Sequence, residues 1–300
     1  MYTYRAYDLI FSSELLIPEL EVAEGTPDVT IRIGTVPLQL SNPIETRRFF
    51  QAGQDEFLLK LEKTAGYYVK DGSEITIEPY IDSSAPDIRL FLLGSVFGAL
   101  LHQRGYLVLH GSSVVINGRG VLITGESGIG KSTLAAAFNK KAYEVLTDDV
   151  CAVNFSDDGT PYIVPGFPSL KLWPDAADRL ETSVDGLEPV KSDIEKYRVE
   201  IKKGYCTEKI ALKEIYLLGK HDGEKVEIVP VKDLAKLEAL IKNTYRPRYL
   251  NGQKLKSLHF SQCVAVAGKT DIYSVLRPET GFLLDELVTA VEGNVNDHDK

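Results

Sequence analysis

HGSSVVINGRGVLITGESGIGKST, residues 110–133, followed by YEVLTDD, residues 143–149, carries the densest structural information in the chain. Within it Gly125-Glu126-Ser127-Gly128-Ile129-Gly130-Lys131-Ser132 matches G-x-x-x-x-G-K-[ST] at every fixed position. Each fixed position has a physical task. The glycines let successive backbone N–H groups curl around an anion without a Cβ clash. A helix opening near Lys131 points its positive end at the same anion, so Thr133 joins the cradle. Lys131 adds a full charge over β- and γ-phosphates, and the Ser132 hydroxyl is suited to Mg²⁺. Gly125 to Thr133 is therefore expected to bind the phosphates of ATP or a close relative.

Working outward, Val114–Ile116 and Val121–Thr124 read as strands joined by Asn117-Gly118, a strong tight-hairpin signal. Two strands so joined are antiparallel. That sets the chain apart from ordinary GTPases and transport ATPases, whose strands near the P-loop are parallel. Thr133–Lys141 favours helix, and YEVLTDD returns as a strand ending in Asp148 and Asp149. A right-handed crossover lays that strand parallel to Val121–Thr124, with its carboxyl end on the P-loop edge. Two acids then lie beside the bound triphosphate. One can hold Mg²⁺, directly or through water, and the other can accept a proton from an attacking hydroxyl. His110-Gly111 ends YLVLHG; a lone histidine of this kind is more often structural than catalytic.

Residues 1–85 read as a small β-rich region, with strand patterns in IPELEV, VTIRIG, EFLLKLE, GYYVKDG and EITIEPY. Residues 86–300 read as the P-loop domain, giving an α/β fold with a mixed sheet. A helix spans about Asp87 to Gln103; its most apolar part, Leu90–His102, is too short to cross a bilayer and reads as buried. After the Asp pair, Asp175–Leu180 is helix-like and Thr182–Lys196 loop-like. IALKEIYLLG and KVEIVPV read as strands, and Val231–Lys242 and Leu283–Val291 as helices. The terminal GNVNDHDK is expected to fray.

The composition, 300 residues with 44% hydrophobic and 26% charged, is that of a globular protein, and a net charge of −9 disfavours nucleic acid and anionic membranes as partners. Three scattered cysteines, Cys151, Cys206 and Cys263, with no signal-peptide layout, point to a reducing cytoplasm.

The spacing HGSSVVINGRGVLITGESGIGKST…LTDD, from His110 to Asp149, resembles the core of the HPr serine kinase/phosphorylase family. That family in turn resembles ATP-dependent phosphoenolpyruvate carboxykinase in its nucleotide-binding fold. The resemblance implies an ATP- and Mg²⁺-dependent transfer of the γ-phosphoryl group to a serine. It implies Asp149 as proton acceptor, Asp148 with Ser132 at the metal, Lys131 on the phosphates and His110 close to the reacting groups. Where the family carries an EIRGLG-type segment with a metal-binding Glu, this chain has PGFPSLKLWPDAADRL; Asp175 is the candidate substitute. SSELLIPEL, FPSLKLWPDAADRL, KYRVE and NTYRPRYL look like a divergent group found with peptide-modification pathways. Some of its members resemble kinases of the C-terminal serine of lasso-peptide precursors. Related kinases assemble into oligomers, so a homo-oligomer is implied.

On the substrate side, basic residues gather at Lys191, Lys196, Arg198, Lys202, Lys203, Arg246 and Arg248, most of which read as a solvated face. Arg246, between Tyr245 and Pro247, is singled out as the catalytic cation. Trp173 and Phe167 could line a peptide groove or pack in the core. The alternatives are a kinase of a small hydroxyl acceptor such as free serine, and an ATP-binding regulatory module without turnover.

Overall fold

The computed structural model describes residues 1–300 except 82, 181–188, 192–193, 253–255, 282 and 298–300. Among the described residues, strands up to Pro79 form a nine-stranded sheet. Its order is Glu21–Val22, Tyr2–Ala6, Leu9–Ser13, Val29–Ile33, Glu74–Pro79, Ala65–Lys70, Glu56–Leu61, Phe50–Ala52, Glu45–Thr46. The opening hairpin, absent from the sequence reading, turns at Tyr7 and Asp8, both at positive φ (55° and 57°).

Helix follows without a break from Ala85 to Gln103, with a wider π turn at Leu92–Val96. Ser84 caps it by accepting the Asp87 N–H at 3.1 Å. At 19 residues the helix has the length and apolarity to cross a bilayer, unlike the shorter stretch read from sequence. Its apolar side chains are instead enclosed: Leu92, Leu93, Val96, Phe97, Leu100 and Leu101 pack in one core with Phe11, Phe57 and Tyr67 of the sheet. Burial at this level contributes about 2 kcal/mol per side chain before conformational entropy is counted.

The second sheet is mixed. Leu107–Ile116 pairs antiparallel with Arg119–Gly125 along residues 111–116, through the Asn117-Gly118 turn at φ 51° and 74°. Its other side pairs antiparallel with Val150–Phe155 and with Glu144–Thr147. Glu144–Thr147 therefore does run parallel to Arg119–Gly125, with Leu107–Ile116 between them. Arg119–Gly125 also gains a parallel neighbour, Ile210–His221, which continues to Asp271–Pro278 and, through Pro161–Val164, back to Val150–Phe155. The pairings thus close into a ring beneath the P-loop.

The His-Gly pair has a steric explanation here. A Cβ on Gly111 would stand 2.6 Å from the Ile123 carbonyl oxygen and 2.7 Å from Leu122 Cδ1. The carbonyl belongs to the backbone of the paired strand and cannot yield, whereas the Leu122 side chain can turn aside. Gly111→Ala is expected to destabilise the fold by about 2–4 kcal/mol, read as a lowered urea midpoint at unchanged m-value.

Two sequence expectations are corrected, and one helix adds to them. Within 182–196, read as loop, Pro189–Lys191 and the start of Ile194–Glu200 are strands; Ile194–Glu200 pairs with Ser169–Leu172, and the remainder lies outside the described residues. Ladder partners distant in sequence, not local propensity, decide this. The tail does not fray where expected: the last helix runs Leu284–Asp297, held by Leu284, Leu287, Val288, Val291 and Val295 on one stripe. Helix Lys256–Lys269 was not foreseen, because its Ser, His, Cys and Val residues are weak helix formers; burial of Gln262, Cys263 and Val266 stabilises it.

Candidate active site

The helix after the cradle begins at Lys131, and its cap residue Gly130 sits at φ 113°, a conformation that L side chains avoid. Residues Ser127–Thr133 line a cleft of about 250 Å³ together with His110, Asp148, Asp149, Lys171, Trp173, Asp175 and Lys196. Lys131 is nearly buried, and its Nζ donates to the carbonyls of Gly125 (3.0 Å) and Glu126 (2.8 Å). Burial lowers its proton affinity, against the pull of Asp149 and Asp148.

The two acids have separate surroundings. Asp148 Oδ1 accepts from Ser112 Oγ at 2.6 Å, and its Oδ2 accepts from the Lys171 N–H at 2.8 Å. The carboxylate fastens the strand Ser169–Leu172 to the sheet. Asp149 sits at φ 72°, with the Val150 N–H donating to the Asp148 carbonyl at 2.9 Å, which makes it the centre of a γ-turn. Such a turn is strained and persists only where its surroundings impose it. Thr147 Oγ1 (2.9 Å) and the hydroxyl of Tyr7 (3.1 Å) both donate to the Val150 carbonyl behind it. Tyr7 arrives from the N-terminal hairpin, so residues of the first sheet brace this turn.

Asp149 Oδ2 lies 2.7 Å from Lys171 Nζ and its Oδ1 3.3 Å from His110 Nδ1. Burial alone would raise this carboxyl; Lys171, His110 and Lys196 outweigh it and hold the acid well below the usual carboxylate range. His110 Nδ1 is also 3.1 Å from the Asp149 carbonyl oxygen. A carbonyl only accepts, so Nδ1 carries the proton. Burial keeps His110 below its ordinary range, with Asp149 opposing and Lys131 assisting.

A second cavity, of about 450 Å³, opens on the other side of Asp149 and His110. It is lined by Gly125, Glu126, Ser127, Lys242, Asn243, Thr244, Tyr245 and Arg246. Arg246 has φ 48°, rare for a long side chain, and its guanidinium is 5.8 Å from the Tyr245 ring. Its loop is fixed from below: His102 Nε2 donates to the Tyr245 carbonyl at 2.9 Å, and the Tyr245 N–H donates to the Val108 carbonyl. Enclosure lowers the His102 pKa to about 4, only partly offset by that bond. The unfolded chain takes up this proton near pH 6.5 and the folded one does not. Stability is therefore expected to fall by about 3 kcal/mol between pH 6.5 and 4. His102→Gln should flatten that part of a pH series of urea midpoints.

The residues expected from sequence thus gather: His110, Lys131, Ser132, Asp148 and Asp149 meet in the cleft, and Arg246 faces them across Asp149. Asp175 lines the cleft too. The rest of the basic group divides. Lys196 is in the cleft; Arg198, Lys202 and Lys203 line a separate cavity, where Arg198 Nη1 lies 3.1 Å from Glu19. Arg248 is exposed, and the side chain of Lys191 is outside the described residues. Phe167 is buried, its ring edge-on to that of Tyr7. Lys171 was missed, although a charge inside the apolar run FPSLKLW was a signal. Among the described residues no three His, Cys, Asp or Glu side chains gather as a metal cluster. The donor set suits a cation held largely by phosphates and water, with Ser132 and the second lone pairs of Asp148.

Fold and site together define an α/β P-loop protein whose anion cradle follows a β-hairpin and faces a carboxylate pair. Residues 104–163 match the family model of the HPr serine kinase C-terminal domain. The chain is 49% identical over 49 residues to the HPr kinase/phosphorylase of Clostridium botulinum, 16% of each chain. It is 31% identical over 99 residues to that of Limosilactobacillus reuteri, 29% of this chain and 31% of the relative. The chain therefore spans less than a third of the length of these relatives. The Hpr(Ser) kinase/phosphatase of Coxiella burnetii aligns with TM-score 0.33 and 14% identity, over 64% of this chain and 90% of the other. Residues 104–163 are thus similar to the HPr serine kinase C-terminal domain, with the sequence likeness concentrated around the P-loop.

Proposed function

We propose that this protein is an ATP-dependent kinase that transfers the γ-phosphoryl group to a hydroxyl, with a peptide serine as acceptor. One observation carries the reading: Asp149 and His110 line both the P-loop cleft and the second cavity. A donor held by Gly125–Thr133 and an acceptor entering past Arg246 would meet at the Asp149 carboxylate.

Phosphoryl transfer passes through a loose transition state, so positioning and charge matter more than base strength. Asp149 is held ionised by Lys171 and serves to orient the hydroxyl and receive its proton as the oxygen attacks. Neutral His110, donating through Nδ1 to Asp149, leaves Nε2 as an acceptor toward the reacting groups. Lys131 and the loop N–H groups hold the phosphates, and Arg246 meets charge on the transferred group from the acceptor side. Mg²⁺, when bound, neutralises the β- and γ-phosphates; Ser132 would ligate it, with Asp148 acting through water. Asp148 otherwise keeps Lys171 in place.

The peptide acceptor follows the resemblance to lasso-peptide precursor kinases, whose acceptor is a C-terminal serine. The β-rich residues 1–85 serve as a brace for residues 86–300, as the Tyr7 contact suggests. Three free, buried cysteines fit a reducing compartment. The test is transfer of labelled γ-phosphate to serine peptides, to HPr and to free serine. Label on a peptide serine is expected; ATP bound without transfer to any of the three would leave a regulatory nucleotide-binding module.

A further inference from the structure

One wall of the second cavity, residues 243–246, is held in place from outside the site. It lies along the strand Leu107–Ile116: the His110 N–H donates to the Asn243 carbonyl at 2.8 Å, and Thr244 bridges Leu109. One end of the segment thus touches His110, and the other carries Arg246 at its strained φ of 48°. Strain of this kind persists only where neighbours impose it. His102 supplies one such hold, on the Tyr245 carbonyl. A second comes from helix Lys256–Lys269, where His259 Nε2 lies 2.8 Å from Thr244 Oγ1. Thr244 is buried, and its hydroxyl donates to the Leu240 carbonyl at 3.1 Å. A hydroxyl has one proton to give, so it accepts from His259, and Nε2 carries the hydrogen. Cys263, one turn further along the helix, is wholly buried with its Sγ 3.6 Å from the same nitrogen. Partial burial lowers the proton affinity of His259, so the ring brings a donor without a charge.

We infer that His259 is a positioning residue for the phosphoryl acceptor: through Thr244 Oγ1 it fixes residues 243–246, and with them Arg246 and the wall against which the acceptor lies. The inference deepens the kinase reading and rests on it, since only that reading makes the second cavity an acceptor site. Displacing a positioned reactant by a fraction of an ångström slows transfer without touching the reacting groups. Neither His259 nor Thr244 lines the phosphate cleft, so nucleotide binding stands apart from this bond.

The test compares the wild type with His259→Leu, His259→Gln, Thr244→Val and the His259→Leu, Thr244→Val double variant. Transfer is measured to a peptide ending in serine, to HPr and to free serine, with ATP affinity from calorimetry and stability from urea midpoints. His259→Leu is expected to lower kcat/KM for the acceptor about tenfold while ATP affinity stays within about twofold. His259→Gln should restore most of the loss, because its amide nitrogen donates from a similar reach. The double variant should be no slower than Thr244→Val alone, because the histidine acts through that hydroxyl. An unchanged acceptor kcat/KM in His259→Leu, a Gln variant as slow as the Leu variant, equal losses for acceptor and ATP, or losses that add in the double variant would each overturn the role. Should His259→Leu fail to fold, Thr244→Val removes the same bond, and an unchanged acceptor kcat/KM there overturns it. A wild type that labels none of the three acceptors overturns the kinase reading and this role with it.

Discussion

Asp149→Asn is expected to lower phosphoryl transfer by a factor on the order of 10³ or more while ATP affinity stays within about twofold. The amide keeps the shape of the side chain and the γ-turn but cannot take the acceptor's proton. Nucleotide affinity comes from Gly125–Thr133, whose contacts do not pass through this carboxylate. The companion Asp148→Asn separates the two acids. Its carboxylate accepts from the Ser112 hydroxyl and the Lys171 N–H. If the new NH₂ faces Lys171, two donors confront each other at a buried position, at a cost of about 1–3 kcal/mol. Asp148→Asn is thus expected to lower stability through the clash of donors, and Asp149→Asn, which breaks the Lys171 ion pair, to lower stability by about 1–2 kcal/mol along with turnover. Single-turnover transfer, ATP titration and urea midpoints on both variants decide it. Transfer by Asp149→Asn above a tenth of wild type removes Asp149 from the proton-accepting role.

Lys171→Met is expected to reduce kcat roughly a hundredfold, with a smaller change in ATP affinity. The ammonium lies 2.7 Å from Asp149, and the Lys171 side chain is only 11% exposed. Removing it leaves the acid with His110 and the more distant Lys196, so the carboxylate loses its main electrostatic support and its fixed orientation. The backbone bond from the Lys171 N–H to Asp148 survives the substitution, so the loss belongs to the ammonium. Asp149 is about a quarter exposed and water screens part of the pair, so the stability penalty stays near about 1–2 kcal/mol. Lys171→Arg should recover much of the rate, because a cation of similar reach remains. A Lys171→Met protein that folds normally with unchanged kcat would confine Lys171 to a structural part.

The local elements around the cradle were legible because their signals are short-range. Gly130 and Lys131 declare a loop entering a helix, and Asn117-Gly118 declares a hairpin whose φ values only such residues adopt readily. The Asp pair could be placed on the P-loop edge because a crossover fixes strand direction whether or not another strand intervenes. Strands such as Ser169–Leu172 and Ile194–Glu200 were not legible, since each owes its form to the other across some thirty residues. Lys256–Lys269 was hidden for a related reason: its stability comes from what it packs against.

By itself the sequence determined an anion cradle, a hairpin before it, and two acids within its reach, since each follows from backbone rules acting over a few residues. Tertiary structure alone decided what the two acids do. It tied Asp148 to Ser112 and Lys171, and it set Asp149 in a strained turn between two cavities beside Lys171, His110 and the Arg246 loop. Those assignments depend on charges and donors from segments far apart in the chain, whose distances only the folded ring of strands establishes.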